Sequence, residues 1–157
     1  MPKKKKHVDK SVCFYFHVHQ PYRLSKFDVF AKDKQDYFKG LIPYTNRFFI
    51  EKVGEKCYYP TNQILLDLIN EYDEFRCSFS ISGVMLEQFE EFDPKLIESF
   101  QALVKTKKVE LLNETYYHSL AWIYSKLDFT EQVLMHRKKI HKIFKKRPVI
   151  FRNTELI

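Results

Sequence analysis

Glycine is scarce in this chain, three residues in 157, and no Gly-, Pro- or Ser-rich stretch is present to act as a linker. No repeat with a period of about 20–50 residues occurs, and no sustained heptad pattern, which excludes solenoid and coiled-coil architectures. One domain, or one piece of a domain, over residues 11–157 is the economical reading at this length. Cysteine is equally sparse. Cys13, Cys57 and Cys77 are odd in number and have no C-x-x-C spacing, which argues against a disulfide framework, a zinc site or a thiol nucleophile. That usage fits a reducing cytosol, and Cys13 and Cys77, inside strand-like runs, are expected to be buried small hydrophobes. Long apolar runs are missing too. Nothing approaches the roughly 20 residues of a membrane span. The basic start is followed only by Val12–Val18, too short for a secretory signal and ending in histidine. The expected compartment is therefore the cytoplasm, without a membrane partner.

Charge is unbalanced in sign, at +7 overall, but the excess is local. Lys3, Lys4, Lys5, Lys6 and Lys10 stand against Asp9 and account for +4 of it. Residues 1–10 thus read as a basic, solvated tail. A lysine run is a weak signal for nucleic acid, and no RNA-binding or helix-turn-helix signature accompanies it, so no nucleic-acid partner is expected.

What is abundant is apolar and aromatic: 45% hydrophobic residues, with fifteen Phe and ten Tyr, enough for a substantial core. Four runs have the length and character of buried strands: Ser11–His19, Phe75–Ser82, Val109–Asn113 and Val149–Arg152. Helical patterns separate them. Thr61 is placed to cap Asn62–Tyr72, Asp93 and Pro94 to open a helix through about Lys105, and Thr130 to cap Glu131–Lys145. Strands alternating with helices predict an α/β fold with about four parallel strands. A closed (β/α)8 barrel needs roughly 250 residues, so about half of such a TIM-like barrel is expected here.

Alternation along a strand assigns faces. In the first strand Cys13, Tyr15, His17 and His19 share one face, and Phe14, Phe16 and Val18 the other. Glu110, Leu112 and Glu114 share a face of the third, and Phe151, Asn153 and Glu155 of the fourth. The polar faces are expected to converge on His19, Glu110 or Glu114, and Glu155, toward the strand C-terminal ends where such barrels hold their sites. Taken singly, each has an ordinary explanation. A strand-end histidine is more often structural, and a glutamate near a chain end is usually solvated. His17 and His19 form an H-x-H pair of the kind that binds metals, but no third ligand is evident in sequence, so no metal and no cofactor are expected.

Three segments together are more specific than any one. His17-Val18-His19-Gln20-Pro21, Val109 to His118 and Phe151-Arg152-Asn153-Thr154-Glu155 resemble the first three sequence regions of glycoside hydrolase family 57. The stretch Glu114-Thr115-Tyr116-Tyr117-His118-Ser119-Leu120 is most similar to the α-amylase-type members. The resemblance covers about residues 11–157 and implies an incomplete (β/α)7 barrel. It further implies that His19 and Gln20 border the sugar next to the cleaved bond, that Glu110 contacts substrate, and that Glu155 is the nucleophile. His17, Glu114, His118 and Trp122 are further candidates for sugar contacts, for which the aromatic content is well suited.

The implied reaction is retaining cleavage of an α-glucan or maltooligosaccharide, with the two carboxyl groups about 5–5.5 Å apart. One must be ionised and the other protonated. The family's acid/base is an aspartate further downstream, and nothing here matches it. The chain is thus expected to be the front fragment of a truncated or split enzyme gene. With an unpaired strand edge it would need a complementing C-terminal half or self-association. A 4-α-glucanotransferase of the same family, or a carbohydrate-binding remnant without catalysis, are the alternative readings.

Overall fold

The computed structural model describes residues 10–26, 28–30 and 37–155. The expected basic tail lies almost wholly outside them. Strand β1 (Phe14–Val18) opens the described fold. After a loop, two-residue strands β2 (Gly40–Leu41) and β3 (Tyr44–Thr45) form a small antiparallel ribbon. Helix α1 (Asn46–Val53), a π-helical turn (Gly54–Tyr58) and helix α2 (Tyr59–Glu71) follow as one continuous helical passage. Strand β4 (Cys77–Ile81), helices α3 (Gly83–Phe92) and α4 (Pro94–Lys105), strand β5 (Val109–Leu111), and helices α5 (Ala121–Tyr124) and α6 (Lys126–Phe144) complete it.

The sheet runs β1-β4-β5, with both pairings parallel. Among the described residues this sheet therefore has three strands where about four were expected. The fourth run shrinks to one parallel bridge between Asn113 and Phe151. Two backbone bonds hold it: Asn113 N–H donates to Ile150 C=O at 2.8 Å, and Arg152 N–H to Asn113 C=O at 2.9 Å. The alternation reading of β1 holds. Val18 and Phe16 pack into the core with Phe79, Ile81 and Leu111, while Tyr15 turns to the other face and meets the Ser80 hydroxyl. Cys77 is buried as expected, but Cys13 is exposed, because it precedes the first paired residue of β1.

Helix starts differ from the sequence expectation in instructive ways. The Thr45 hydroxyl, and not that of Thr61, provides the cap, accepting from Phe48 N–H at 3.2 Å. Pro60 lacks an amide hydrogen and disfavours a regular i→i−4 ladder. The chain passes it by way of the π-helical turn and continues, so Thr61 is interior. Likewise Ser125 caps α6, and the Thr130 hydroxyl donates to Lys126 C=O within the helix. Only α4 begins as read, at Pro94; there Asp93 accepts from the Tyr59 hydroxyl instead of capping its own helix. Helix α3, which buries Val84, Met85, Leu86, Gln88 and Phe89, escaped the sequence reading. Its Ser82 cap accepts from Met85 N–H at 3.3 Å.

One of the few glycines is sterically required. A Cβ on Gly83 would stand 2.4–2.5 Å from the Tyr116 ring, close to the rigid root of that side chain. Tyr116 is itself fixed, its hydroxyl donating to Glu87 at 2.6 Å and its carbonyl accepting from Val84 N–H. Gly83→Ala is expected to lower unfolding stability by about 1–3 kcal/mol, since neither partner can yield. Gly54→Ala, whose Cβ would meet a Leu96 methyl at 3.1 Å, is expected to change it by no more than about 1 kcal/mol. Urea denaturation of both variants checks the contrast.

Candidate active site

Parallel register puts residues of equal rank on one level. Tyr15, Ser78 and Glu110 form one row, and His17 pairs with Ser80 in the row above. Above these, at the strand C-terminal ends, the Ser82 hydroxyl meets His19 Nδ1 at 2.8 Å. The loop after β5 brings Glu114 and His118 to the same end. His118 Nδ1 lies 3.2 Å from Glu114 Oε2, and His17 Nε2 lies 3.7 Å from the same oxygen. The rings of His17 and His118 are 4.5 Å apart, and those of His19 and His118 are 4.1 Å apart and stacked. His118 has a positive φ of 54°, an uncommon conformation for a residue with a Cβ, which the turn bond from its N–H to Thr115 C=O holds.

Glu114 is the centre of this group, and only 2% of its side chain is exposed. Burial alone pushes a carboxylate up. Hydrogen bonding from His118, with His17 alongside and the positive potential of His136 and His17, reverses this and draws Glu114 down to about 2. At 3.7 Å the His17 contact is an ion-pair separation and the weaker of the two. The other oxygen, Oε1, is buried without a hydrogen-bond partner. Leaving such an acceptor unpaired costs about 1–3 kcal/mol. His19 is pulled down to about 4, first by burial and then by repulsion from His118. A neutral imidazole beside an ionised, half-satisfied carboxylate is a site built to accept donors from a ligand.

His136, which sequence reading did not single out, organises the floor. It is fully buried on α6. Its Nε2 lies 2.9 Å from Ile81 C=O at the end of β4, and its Nδ1 lies 2.6 Å from Asn113 Oδ1 and 3.4 Å from Glu114 N–H. Burial holds it below the usual imidazole range. These contacts pin the ends of β4 and β5 together. Gln88 was also missed; its amide donates to Gln20 C=O at 2.7 Å.

Other candidates fall elsewhere. Glu110 does not reach the histidine group. It is exposed on β5 and lines a cleft with Arg76, Lys108 and Arg147, so Glu114 is the acidic residue at the C-terminal edge. Gln20 accepts from the Arg23 guanidinium at 3.0 Å. Trp122 is 40% exposed on α5. Glu155 is exposed and follows buried Thr154, whose hydroxyl lies 2.8 Å from that of Thr115. That bond ties the segment of Glu155 to the turn carrying Glu114 and His118. Of the H-x-H pair, His17 alone joins a group with metal-ligand spacing, together with Glu114 and His118.

The two shifts fix a pH dependence. An unfolded imidazole takes a proton below 6.5 while native His19 resists until about 4. An unfolded carboxylate takes one below 4.5 while native Glu114 resists until about 2. In both cases the unfolded chain binds more protons in the interval, so stability falls with pH there. Urea midpoints are expected to be level above pH 6.5, then to drop steadily toward pH 2. Glu114→Gln is expected to flatten the lower part of that profile, below pH 4.5.

Comparison with known proteins gives this arrangement a lineage. A curated protein of Methanocaldococcus jannaschii, provisionally named an alpha-amylase, is 44% identical over 147 residues, covering 93% of this chain and 31% of that protein. The structure of a branching enzyme of the same family from Pyrococcus horikoshii superposes with a TM-score of 0.66 at 15% identity, over 91% of this chain and 34% of the other. That of 4-alpha-glucanotransferase from Thermococcus litoralis gives 0.59 at 23% identity, over 83% and 17%. At such identities these two structures show the fold alone: α/β, resembling the N-terminal part of their barrels. The chain spans about a third of the length of the Methanocaldococcus relative. With the profile of Glycosyl hydrolase family 57 matching residues 13–157, the chain belongs to that family.

Proposed function

We propose that this chain is the front part of an α-glucan hydrolase of the α-amylase type, acting with retention of configuration. The observation that carries the reading is the grouping of His17, His19, Glu114 and His118 at the C-terminal edge of a parallel sheet, in a chain of this family. Neutral His19 and the buried Glu114 carboxylate offer one hydrogen-bonding nitrogen and an acceptor suited to sugar hydroxyls. In this reading Glu155 attacks the anomeric carbon, an aspartate outside this sequence protonates the leaving oxygen, and water then releases the glycosyl group. Glu114, in place of Glu110, is the acidic residue proposed to touch the sugar. The edge formed by β1 and the bridge at Phe151 are proposed to be completed by the rest of a longer polypeptide.

Two measurements test this. In a chimera joining this chain to the remaining part of the Methanocaldococcus relative, Glu155→Gln is expected to cut kcat on maltooligosaccharides by about 10⁴-fold or more with little change in KM. Retained activity would exclude Glu155 as nucleophile, and sugar transfer without new reducing ends would make the enzyme a glucanotransferase. In the chain itself, His19→Ala is expected to weaken maltoheptaose binding about tenfold, equivalent to about 1.4 kcal/mol, by calorimetry.

A further inference from the structure

We propose that His17, Glu114 and His118 form a binding site for a divalent transition-metal ion, Zn²⁺ being the best match. The inference goes beyond the glucan reading and does not depend on it. Three observations converge. One nitrogen from each histidine and one carboxylate oxygen lie within 4.8 Å of one another. The two closest approaches, 3.2 and 3.7 Å to Glu114 Oε2, bracket the edge of about 3.3–3.5 Å that tetrahedral ligands make around zinc with bonds of roughly 2.0–2.1 Å. Second, Glu114 is almost fully buried and its Oε1 has no partner, so the site contains an acceptor that the protein itself leaves unsatisfied. Third, among the described residues no lysine or arginine pairs with Glu114; its ion-pair partners are the two histidines. A buried carboxylate so placed is compensated by paired charge or by a metal.

The ligand chemistry selects the ion. Two imidazoles and one carboxylate suit zinc and its neighbours better than calcium or magnesium, which take oxygen ligands. Three protein ligands leave a fourth position open, the arrangement of sites that admit water or substrate. His17, with 32% of its side chain exposed, gives the approach from solvent. Outer contacts that hold metal ligands are also present. The Glu114 N–H lies 3.4 Å from His136, and His118 is locked in its turn by Thr115. On binding, His118 Nδ1 turns its lone pair to the ion in place of its bond to Glu114, and its ring proton moves to Nε2.

The test is calorimetric titration of Zn²⁺ into the whole 157-residue chain at neutral pH, with Co²⁺ as an optical probe. Exposed Cys13 and Cys57 are replaced by serine to remove thiol ligands. Expected are one ion per chain at micromolar affinity or tighter, and Co²⁺ absorption typical of tetrahedral N/O ligands. His17→Gln, an exposed change, is expected to weaken binding about 10- to 100-fold with the metal-free melting temperature unchanged, and His118→Gln to weaken binding to the same degree. His141→Gln, on the far part of α6, is expected to leave it intact. No binding below about millimolar, or affinity in the His17 and His118 variants equal to that of the chain that keeps both histidines, would overturn the proposal.

Discussion

Parallel pairing of β1, β4 and β5 is the constraint on which everything else depends. Parallel neighbours cannot be joined by a tight turn, so each connection must cross back through a helix. The crossovers carry helices onto the face of Phe16, Val18, Phe79 and Ile81, where they bury the core. All three strands therefore end at the same edge, and the segments leaving them meet there. His19, Ser82 and Glu114 are neighbours because each follows the last residue of its own strand by one to three positions. The chemistry of the site follows from sheet topology before any side-chain preference enters.

Within that edge, the buried Glu114 carboxylate sets the electrostatics. Its charge is retained against burial by imidazoles on two sides, and one of its oxygens is left unsatisfied. That is a destabilising feature in a fold whose other buried polar groups are mostly paired, and such local cost is a mark of sites kept for binding. His136 makes the cost tolerable by joining the ends of β4 and β5 from beneath. The left-handed backbone of His118 belongs to the same device, since only that turn presents its ring to both His17 and His19.

Family membership and geometry speak to different levels. Relatives that share the fold are named as a branching enzyme and a glucanotransferase, and the sequence relatives as alpha-amylases, so the scaffold supports more than one outcome at the sugar. The part described here contains the strand edge with the histidine group and the turn before Glu155. It spans about a third of the Methanocaldococcus relative.

Local pattern was enough to read the alternating face of β1, the stripe of α4 and the α/β order, because each depends on period and on neighbours a few residues away. It also brought His17, His19, Glu114 and His118 forward as candidates, mainly through the resemblance of their segments to the family. It misjudged the starts of the helical passage at Asn46 and of α6, where Thr45 and Ser125 outcompete better-looking caps further on. It passed over α3, which follows β4 with only Ser82 between them. Only the tertiary structure separates Glu114, beside His17 and His118, from Glu110, exposed on β5. Both lie on the same strand-face parity, and the separation depends on where β5 stops pairing with β4 and which end of the sheet each then faces. The role of His136 was equally beyond sequence. It touches residues 22, 23 and 55 positions away, and nothing local records a contact that exists only when α6 crosses beneath two strand ends.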